Sequence, residues 1–437
     1  MISSIVFLIL LTVGISFFAM SIRKIVRNIR LGRDIEIKDN PGQRWMTMAR
    51  VALGQSKMVT RPVAGFFHII IYAGFIIINI EVLEIIIDGI FGTHRIFAKP
   101  LGSFYNFLIG SFEILALGVL VACVIFLARR NIIRLKRFMS KELYGWPRSD
   151  ANIILITEII LMTLFLCMNA SDQILQERGA EHYLSAGAFP VSSFLVTFFQ
   201  GISTETLIAI ERFCWWLHIA GILLFMNYVP YSKHFHIFLS FPNVWYSKLE
   251  KKGKFTNVEA VTNEVKLMMD PSAVPPPVDP LAAPIRFGAK DVRDLTWKNL
   301  MDAYSCTECG RCTSVCPANI TGKALSPRKI MMDTRDRLEE VGKNIDQHGK
   351  DYEDGKSLLN DYIQPEELWA CTTCNACVEA CPVNIDPLSI IIDMRRFLVM
   401  EQSAAPSELN GMFTKIENNG APWQFSPADR LNWVNQD

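Results

Sequence analysis

The chain has 437 residues, half of them hydrophobic, with 44 Lys and Arg against 43 Asp and Glu for a formal net charge of +1. That length allows two or three domains, and the apolar content exceeds that of a soluble protein of this charge, so the excess must be concentrated in part of the chain. Balanced charge, with no basic stretch interleaved with aromatics, argues against nucleic acid as a partner.

Five apolar stretches are long enough, at 1.5 Å rise per residue, to cross about 30 Å of hydrocarbon as helices. They run near Ile5 to Ile22, Val63 to Ile80, Phe104 to Ala128, Ala151 to Met168 and Leu207 to Tyr228. Basic residues follow the first stretch and none precedes it, so it reads as a retained helix and not as a cleaved signal. The segments Arg23 to Arg61 and Arg129 to Arg148 carry ten and seven Lys and Arg, whereas Glu81 to Ser103 and Ala170 to Thr206 carry two and one. Basic loops stay on the cytoplasmic side, so the expected topology is a multi-pass inner-membrane protein with its N-terminus outside and everything after Tyr231 in the cytoplasm.

Three of the seven histidines fall within or at the ends of these spans: His68, His218 and His236. A histidine in a span is costly unless paired or ligating. His68 lies about two turns from the cytoplasmic end of the second helix, and His236 lies just past the cytoplasmic end of the fifth. Antiparallel helices then bring the two imidazoles to similar depth, as a haem b ligated by two histidines requires. His234 is the rival to His236, and an interfacial His236 bonding lipid headgroups is the plainer reading. His218 lies about 27 Å of helical rise from His236, toward the outer face, and suits either a second haem or an interhelical hydrogen bond. His94, His182 and His348 read as solvated loop residues. Glu113 and Glu158, inside spans, are candidates for proton exchange at a quinone site or for structural hydrogen bonds. Cys123, Cys167 and Cys214 read as small core residues.

Beyond the last span, a charged stretch from Lys248 to Asp270 leads into Pro271-Ser272-Ala273-Val274-Pro275-Pro276-Pro277-Val278-Asp279-Pro280, a semi-rigid spacer. The chain then shows Cys306, Cys309, Cys312 and Cys316, followed by Pro317, and later Cys371, Cys374, Cys377 and Cys381, followed by Pro382. Cysteines spaced two, two and three residues apart and closed by proline form the bacterial ferredoxin run. Three thiolates on a tight loop wrap three corners of a cubane, and the fourth serves the other cluster. Cys306, Cys309, Cys312 and Cys381 are therefore assigned to one 4Fe-4S cluster, and Cys371, Cys374, Cys377 and Cys316 to the other. Structural zinc also accepts four thiolates, but its modules pair two cysteine doublets. The 54 residues between the quartets are rich in charged helix formers, which points to a helical two-cluster domain.

The membrane half, with Phe67-His68, His218 and Pro230-Tyr231-Ser232-Lys233 leading to His236, resembles the haem-b gamma subunit of respiratory nitrate reductase. That resemblance implies one haem on His68 and His236 and one ligand of a second haem at His218, whose partner position here is Ile78. The C-terminal half, with Trp369, the second quartet, Ala421-Pro422-Trp423, Arg430 and Trp433, resembles the ferredoxin portion of heterodisulfide-reductase-type proteins. The combined layout is similar to membrane proteins proposed as electron-transfer-flavoprotein:menaquinone oxidoreductases. A separate cysteine-rich iron-sulfur subunit or an electron-transfer flavoprotein is then the implied cytoplasmic partner.

The expected fold is mainly α: a five-helix transmembrane haem and quinone domain at 1–240, a cytoplasmic Pro-rich linker at 241–290, and a helical ferredoxin domain with two 4Fe-4S clusters at 291–437. The expected function is a subunit of a quinone-linked oxidoreductase, passing electrons between a cytoplasmic partner, the clusters, haem b and menaquinone or ubiquinone. Two alternatives stand beside it: a conduit from quinol to a disulfide or sulfur reductase, and a membrane-anchored iron-sulfur sensor or scaffold without catalytic flux.

Overall fold

The computed structural model describes residues 2–251, 253–270, 272 and 286–435. Among the described residues the regular secondary structure is helical, with only two isolated β-bridges besides. Apart from Ser272, the Pro-rich spacer lies outside the described residues.

Five helices are long and apolar enough to cross a membrane: α1 (Ile2–Ile29), α2 (Pro62–Phe91), α3 (Ser103–Asn131), α4 (Trp146–Glu177) and α5 (Thr204–Tyr228). Neighbours pack in the order α2, α3, α4, α5, and α1 closes the ring against α5 and α2. The bundle core includes Phe7, Ile109, Phe112, Phe165, Trp215 and Ile219, while Ile76, Leu83, Phe107, Ile114, Ile156 and Leu224 are exposed on its outer surface. An outer surface of this kind suits lipid, which neither hydrates polar groups nor penalises apolar ones. Phe7 is fully buried because Gly89 leaves room for it: a Cβ on Gly89 would lie 2.6 Å from the Phe7 ring.

The helices run further than the apolar stretches. At 1.5 Å per residue α2 is about 45 Å long, well beyond the hydrocarbon thickness. It continues through Glu81, Glu84 and Asp88, all buried and all read from sequence as loop. Their charge hid the helix, and their hydrogen bonds permit it. The Glu84 carboxylate accepts from the Phe97 N–H and the Tyr105 hydroxyl, both at 2.8 Å, and Asp88 accepts from the Arg95 N–H at 2.7 Å.

After α5 the chain makes two 3-10 turns and enters α6 (His236–Trp245). The C-terminal unit is built on α7 (Trp297–Ser305), α8 (Pro327–His348) and α9 (Pro387–Met400), followed by α10 (Ser407–Asn419). The first three start on side-chain caps from Thr296, Ser326 and Asp386, which satisfy otherwise orphaned backbone donors.

The C-terminal unit sits against the end of the bundle that carries both Arg-rich loops. Ile25, Val229 and Phe235 share one core with Leu300, Tyr304, Leu338 and the cysteine loops, so apolar packing is continuous across the junction. Backbone bonds join the segment after α1 to the start of α7, Arg33 N to Leu295 O at 2.7 Å and Trp297 N to Arg33 O at 3.0 Å. The Asn28 amide donates to the Tyr304 hydroxyl at 3.0 Å.

Candidate metal centres

The two cysteine loops have the same backbone shape. In Cys306-Thr307-Glu308-Cys309-Gly310, Glu308 and Gly310 have φ of 53° and 70°; in Cys371-Thr372-Thr373-Cys374-Asn375, Thr373 and Asn375 have φ of 55° and 60°. Two left-handed residues two apart curl the chain so that successive cysteines turn inward. Gly and Asn tolerate that region best, while Glu308 and Thr373 hold it at some cost. Gly310 is constrained twice, because a Cβ there would also lie 2.5 Å from the Arg328 guanidinium.

Cys306, Cys309, Cys312 and Cys381 line one cavity, together with Glu308, Arg311 and Arg328. Cys371, Cys374, Cys377 and Cys316 line a second, and Cys377 also borders the first. Each cavity takes three cysteines from one loop and the fourth from the end of the other. Among the described residues no three His, Cys, Asp or Glu side chains converge closely enough to hold a single metal ion. Thiolates spread around a cavity suit a cluster of several atoms better than one zinc, whose Zn–S bonds of about 2.3 Å draw ligands to a point.

Burial pushes the Cys306, Cys377 and Cys381 thiols up to about 12. Alone, they would stay protonated; a metal cluster supplies the positive charge that makes thiolates stable there. The sulfurs already accept backbone N–H bonds, Thr373 N to Cys371 Sγ at 3.4 Å and Ile385 N to Cys381 Sγ at 3.3 Å. Such bonds tune cluster potential. Arg395 lies over the Trp369 ring and donates to the carbonyls of Leu368 and Cys371, bracing the second loop.

The rings of His68 and His236 lie with centres 6.5 Å apart and planes tilted by 42°. Two imidazoles that each place a nitrogen about 2 Å from one iron have ring centres about 6 Å apart, so the spacing fits a metal held between them. The His236 Nδ1 pairs with the Lys233 carbonyl at 3.1 Å. As a donor there it fixes the tautomer and leaves Nε2 with a free lone pair. His68 Nδ1 and, one turn along α2, the Tyr72 hydroxyl are buried without a hydrogen-bond partner. Unmet polar atoms at this depth suit a polar group lodged beside them. His234 packs against His236 and Phe225, its rings 5.6 and 5.4 Å from theirs.

The other candidates are dispersed. His218 is buried between α4 and α5, its Nδ1 paired with the Leu161 carbonyl at 3.0 Å and its ring 6.1 Å from Phe165. Glu113 is fully buried and both its oxygens are taken: Asn169 donates to one at 3.1 Å, and the Val191 and Ser192 N–H groups donate to the other at 2.8 and 3.0 Å. Glu158 is half-buried on α4. His94 is not solvated. It packs on Tyr183 with Nε2 3.8 Å from Asp172, and burial pushes its pKa down to about 4.

Two charged constellations have no counterpart in the sequence reading. At the bundle end away from the cysteine loops the buried Arg95 guanidinium bonds Asp172 at 2.6 Å, Tyr105 at 3.0 Å and Asn169 at 3.0 Å, amid Glu81, Glu84, Asp88 and Glu113. The spacing of Glu81, Glu84 and Asp88, three and then four residues apart, is a helix-face signal that could have revealed it. At the opposite end Lys233 pairs with Glu308, inside the first cysteine loop. That contact joins residues 75 apart and leaves no local signature.

A family model described as a 4Fe-4S dicluster domain matches residues 305–385. Among curated proteins, the chain is 28% identical to "Probable iron-sulfur-binding oxidoreductase FadF" of Bacillus subtilis, over 99% of this chain and 60% of that protein. It is 27% identical to "EtfAB:quinone oxidoreductase" of Syntrophomonas wolfei, over 92% of this chain and 55% of that protein. "Probable membrane-anchored ferredoxin" of Chromohalobacter salexigens is 34% identical over 36% of this chain and 25% of its own length. The chain thus spans at most 60% of these relatives. No solved structure matches.

Proposed function

We propose that this chain is a membrane electron-transfer subunit holding two 4Fe-4S clusters and a haem b, linking a soluble redox partner to quinone in the bilayer. The observation that carries this reading is one of adjacency. The first four-cysteine cavity abuts the membrane elements that bring the His68 and His236 rings to 6.5 Å, with Arg311 of its loop donating to the carbonyls of Lys57, at 2.7 Å, and Met58, just before α2. A sensor or scaffold has no need of such a histidine pair beneath its clusters.

When bound, the clusters and haem supply one-electron storage, which a two-electron quinone reaction needs at each step. The chain's own residues hold and orient them. Cys306, Cys309, Cys312 and Cys381 form one ligand set and Cys371, Cys374, Cys377 and Cys316 the other, while His68 and His236 offer one neutral imidazole each. Glu158 is the carboxylate assigned to proton exchange with quinone, since the oxygens of Glu113 are committed to Asn169 and the backbone at 191–192. His218 as ligand to a second haem requires its Nε2, because Nδ1 is engaged by Leu161. The seventeen-to-three excess of Lys and Arg in the loops at the cluster end supports a cytoplasmic location for it. The Syntrophomonas wolfei relative, an EtfAB:quinone oxidoreductase, supports an electron-transfer flavoprotein as the soluble partner and quinone as the membrane one.

The test is reoxidation in vesicles. Protein reduced with dithionite and mixed with a menaquinone analogue is expected to show rapid loss of the reduced haem α-band. Haem that stays reduced for minutes with excess quinone would reject the quinone link.

A further inference from the structure

The Cys306 site is tied to the membrane domain on every side. Arg311 reaches Lys57 and Met58, Lys57 donates to the Cys381 carbonyl at 3.2 Å, and Arg328 reaches the Arg137 carbonyl and Glu142, both at 2.7 Å. The Asn243 amide on α6 donates to the Val383 carbonyl at 2.9 Å. The Cys316 site is instead braced from within its own unit by Arg395, and Thr372 and Cys374 on its loop are exposed.

Among these ties Lys233 is singular. Its carbonyl accepts from His236 Nδ1 at 3.1 Å, so it sets the plane of that imidazole. Its ammonium pairs with Glu308, lies 3.8 Å from Asp150 and donates to the Pro147 carbonyl at 2.6 Å. Glu308 sits between Cys306 and Cys309, and Arg335 holds its other oxygen at 2.9 Å. Asp150 in turn fixes the turn that carries Lys233, accepting from the Tyr228 and Ser232 hydroxyls and, at 3.1 Å, from the Lys233 N–H. Lys233, Glu308 and Asp150 are all nearly excluded from solvent. Charges there are weakly screened and act on whatever lies beside them.

We propose that Lys233 is a positioning residue that couples two redox centres, orienting His236 through its carbonyl and the Cys306 loop through its ion pair with Glu308, so that the Cys306 site is the membrane-proximal cluster and the Cys316 site faces the soluble partner. The inference rests on the functional reading above. The charge of the pair gives it a signature that packing alone would not produce. Removing the anion with Glu308→Gln favours reduction of a nearby centre, and removing the cation with Lys233→Met disfavours it.

The experiment is an anaerobic redox titration of the full chain in detergent, following the haem optically and the clusters by EPR, with signals normalised to bound iron and haem. Cys374→Ser identifies which EPR signal belongs to the Cys316 site. Glu308→Gln is expected to raise the midpoint potentials of the Cys306-site cluster and the haem, Lys233→Met to lower both, and Lys233→Arg to restore them, while the Cys316-site cluster stays put. Shifts of the same sign in both variants, or shifts confined to the Cys316 site, would overturn the inference. A haem indifferent to Glu308→Gln in protein that retains both clusters would overturn the inference alone. Wild-type protein with clusters but no haem would overturn the functional reading together with it.

Discussion

Arg328 is the most deeply buried long side chain at the junction, with no measurable solvent exposure, and its guanidinium spans from the cluster unit to the loop between α3 and α4. Arg328→Met keeps the apolar stem and removes the charge. It leaves the Glu142 carboxylate, whose side chain is 14% exposed, without its counter-charge and with the Ser326 hydroxyl at 2.8 Å as its remaining donor, and it frees the Arg137 carbonyl. Removing one partner of a buried pair costs about 3–5 kcal/mol, because the other charge remains desolvated. With a urea dependence of about 2 kcal/mol per molar for a unit of this size, the unfolding midpoint falls by about 1.5–2.5 M. The assay is urea titration in detergent under anaerobic conditions, read from tryptophan fluorescence and cluster absorbance together. Glu142→Gln on the Arg328→Met background should recover much of the loss, since it removes the stranded charge. A midpoint for Arg328→Met within about 0.3 M of wild type, which is about 0.6 kcal/mol, would refute the claim that this pair holds the junction.

Three further outcomes follow from the same geometry. Gly310→Ala meets both a left-handed backbone and the Arg328 guanidinium, so iron analysis should show about half the metal of the wild type, with the Cys316 site retained. His68→Leu and His236→Leu should each abolish the reduced haem α-band while leaving iron-sulfur content unchanged, whereas His218→Leu should leave the band of the His68 and His236 site in place. Phe7→Ala, which opens a cavity beside Gly89, should lower stability by about 3–5 kcal/mol, read as an earlier thermal transition in detergent.

Much of the architecture is legible in local pattern. Runs such as Ile5 to Ile22 mark spans because no other role suits so many adjacent apolar residues, and the ferredoxin spacing singles out the eight cysteines that line the two cavities. What escapes is whatever depends on distant partners. Glu81, Glu84 and Asp88 look like loop residues until Arg95, Phe97 and Tyr105 supply the donors that let them stay helical. Charge counting reads Arg95 as one of few outer-loop cations, and cannot show that it is buried against Asp172. His94 reads as solvated because its flanks are polar, although Tyr183 covers it. Lys233 stands in a stretch singled out for the family it resembles, yet its pairing with Glu308 arises only when the cluster unit docks on the bundle.

The central claim is that the eight cysteines hold iron and sulfide beneath which two histidines hold haem. Its most direct test is elemental and haem analysis of protein purified without oxygen, joined to EPR after reduction. Expected are about eight non-haem iron and eight acid-labile sulfide per chain, at least one haem b with its own iron, and a reduced-cluster EPR signal. Zinc in stoichiometric amount, with no labile sulfide and no such signal, would contradict it.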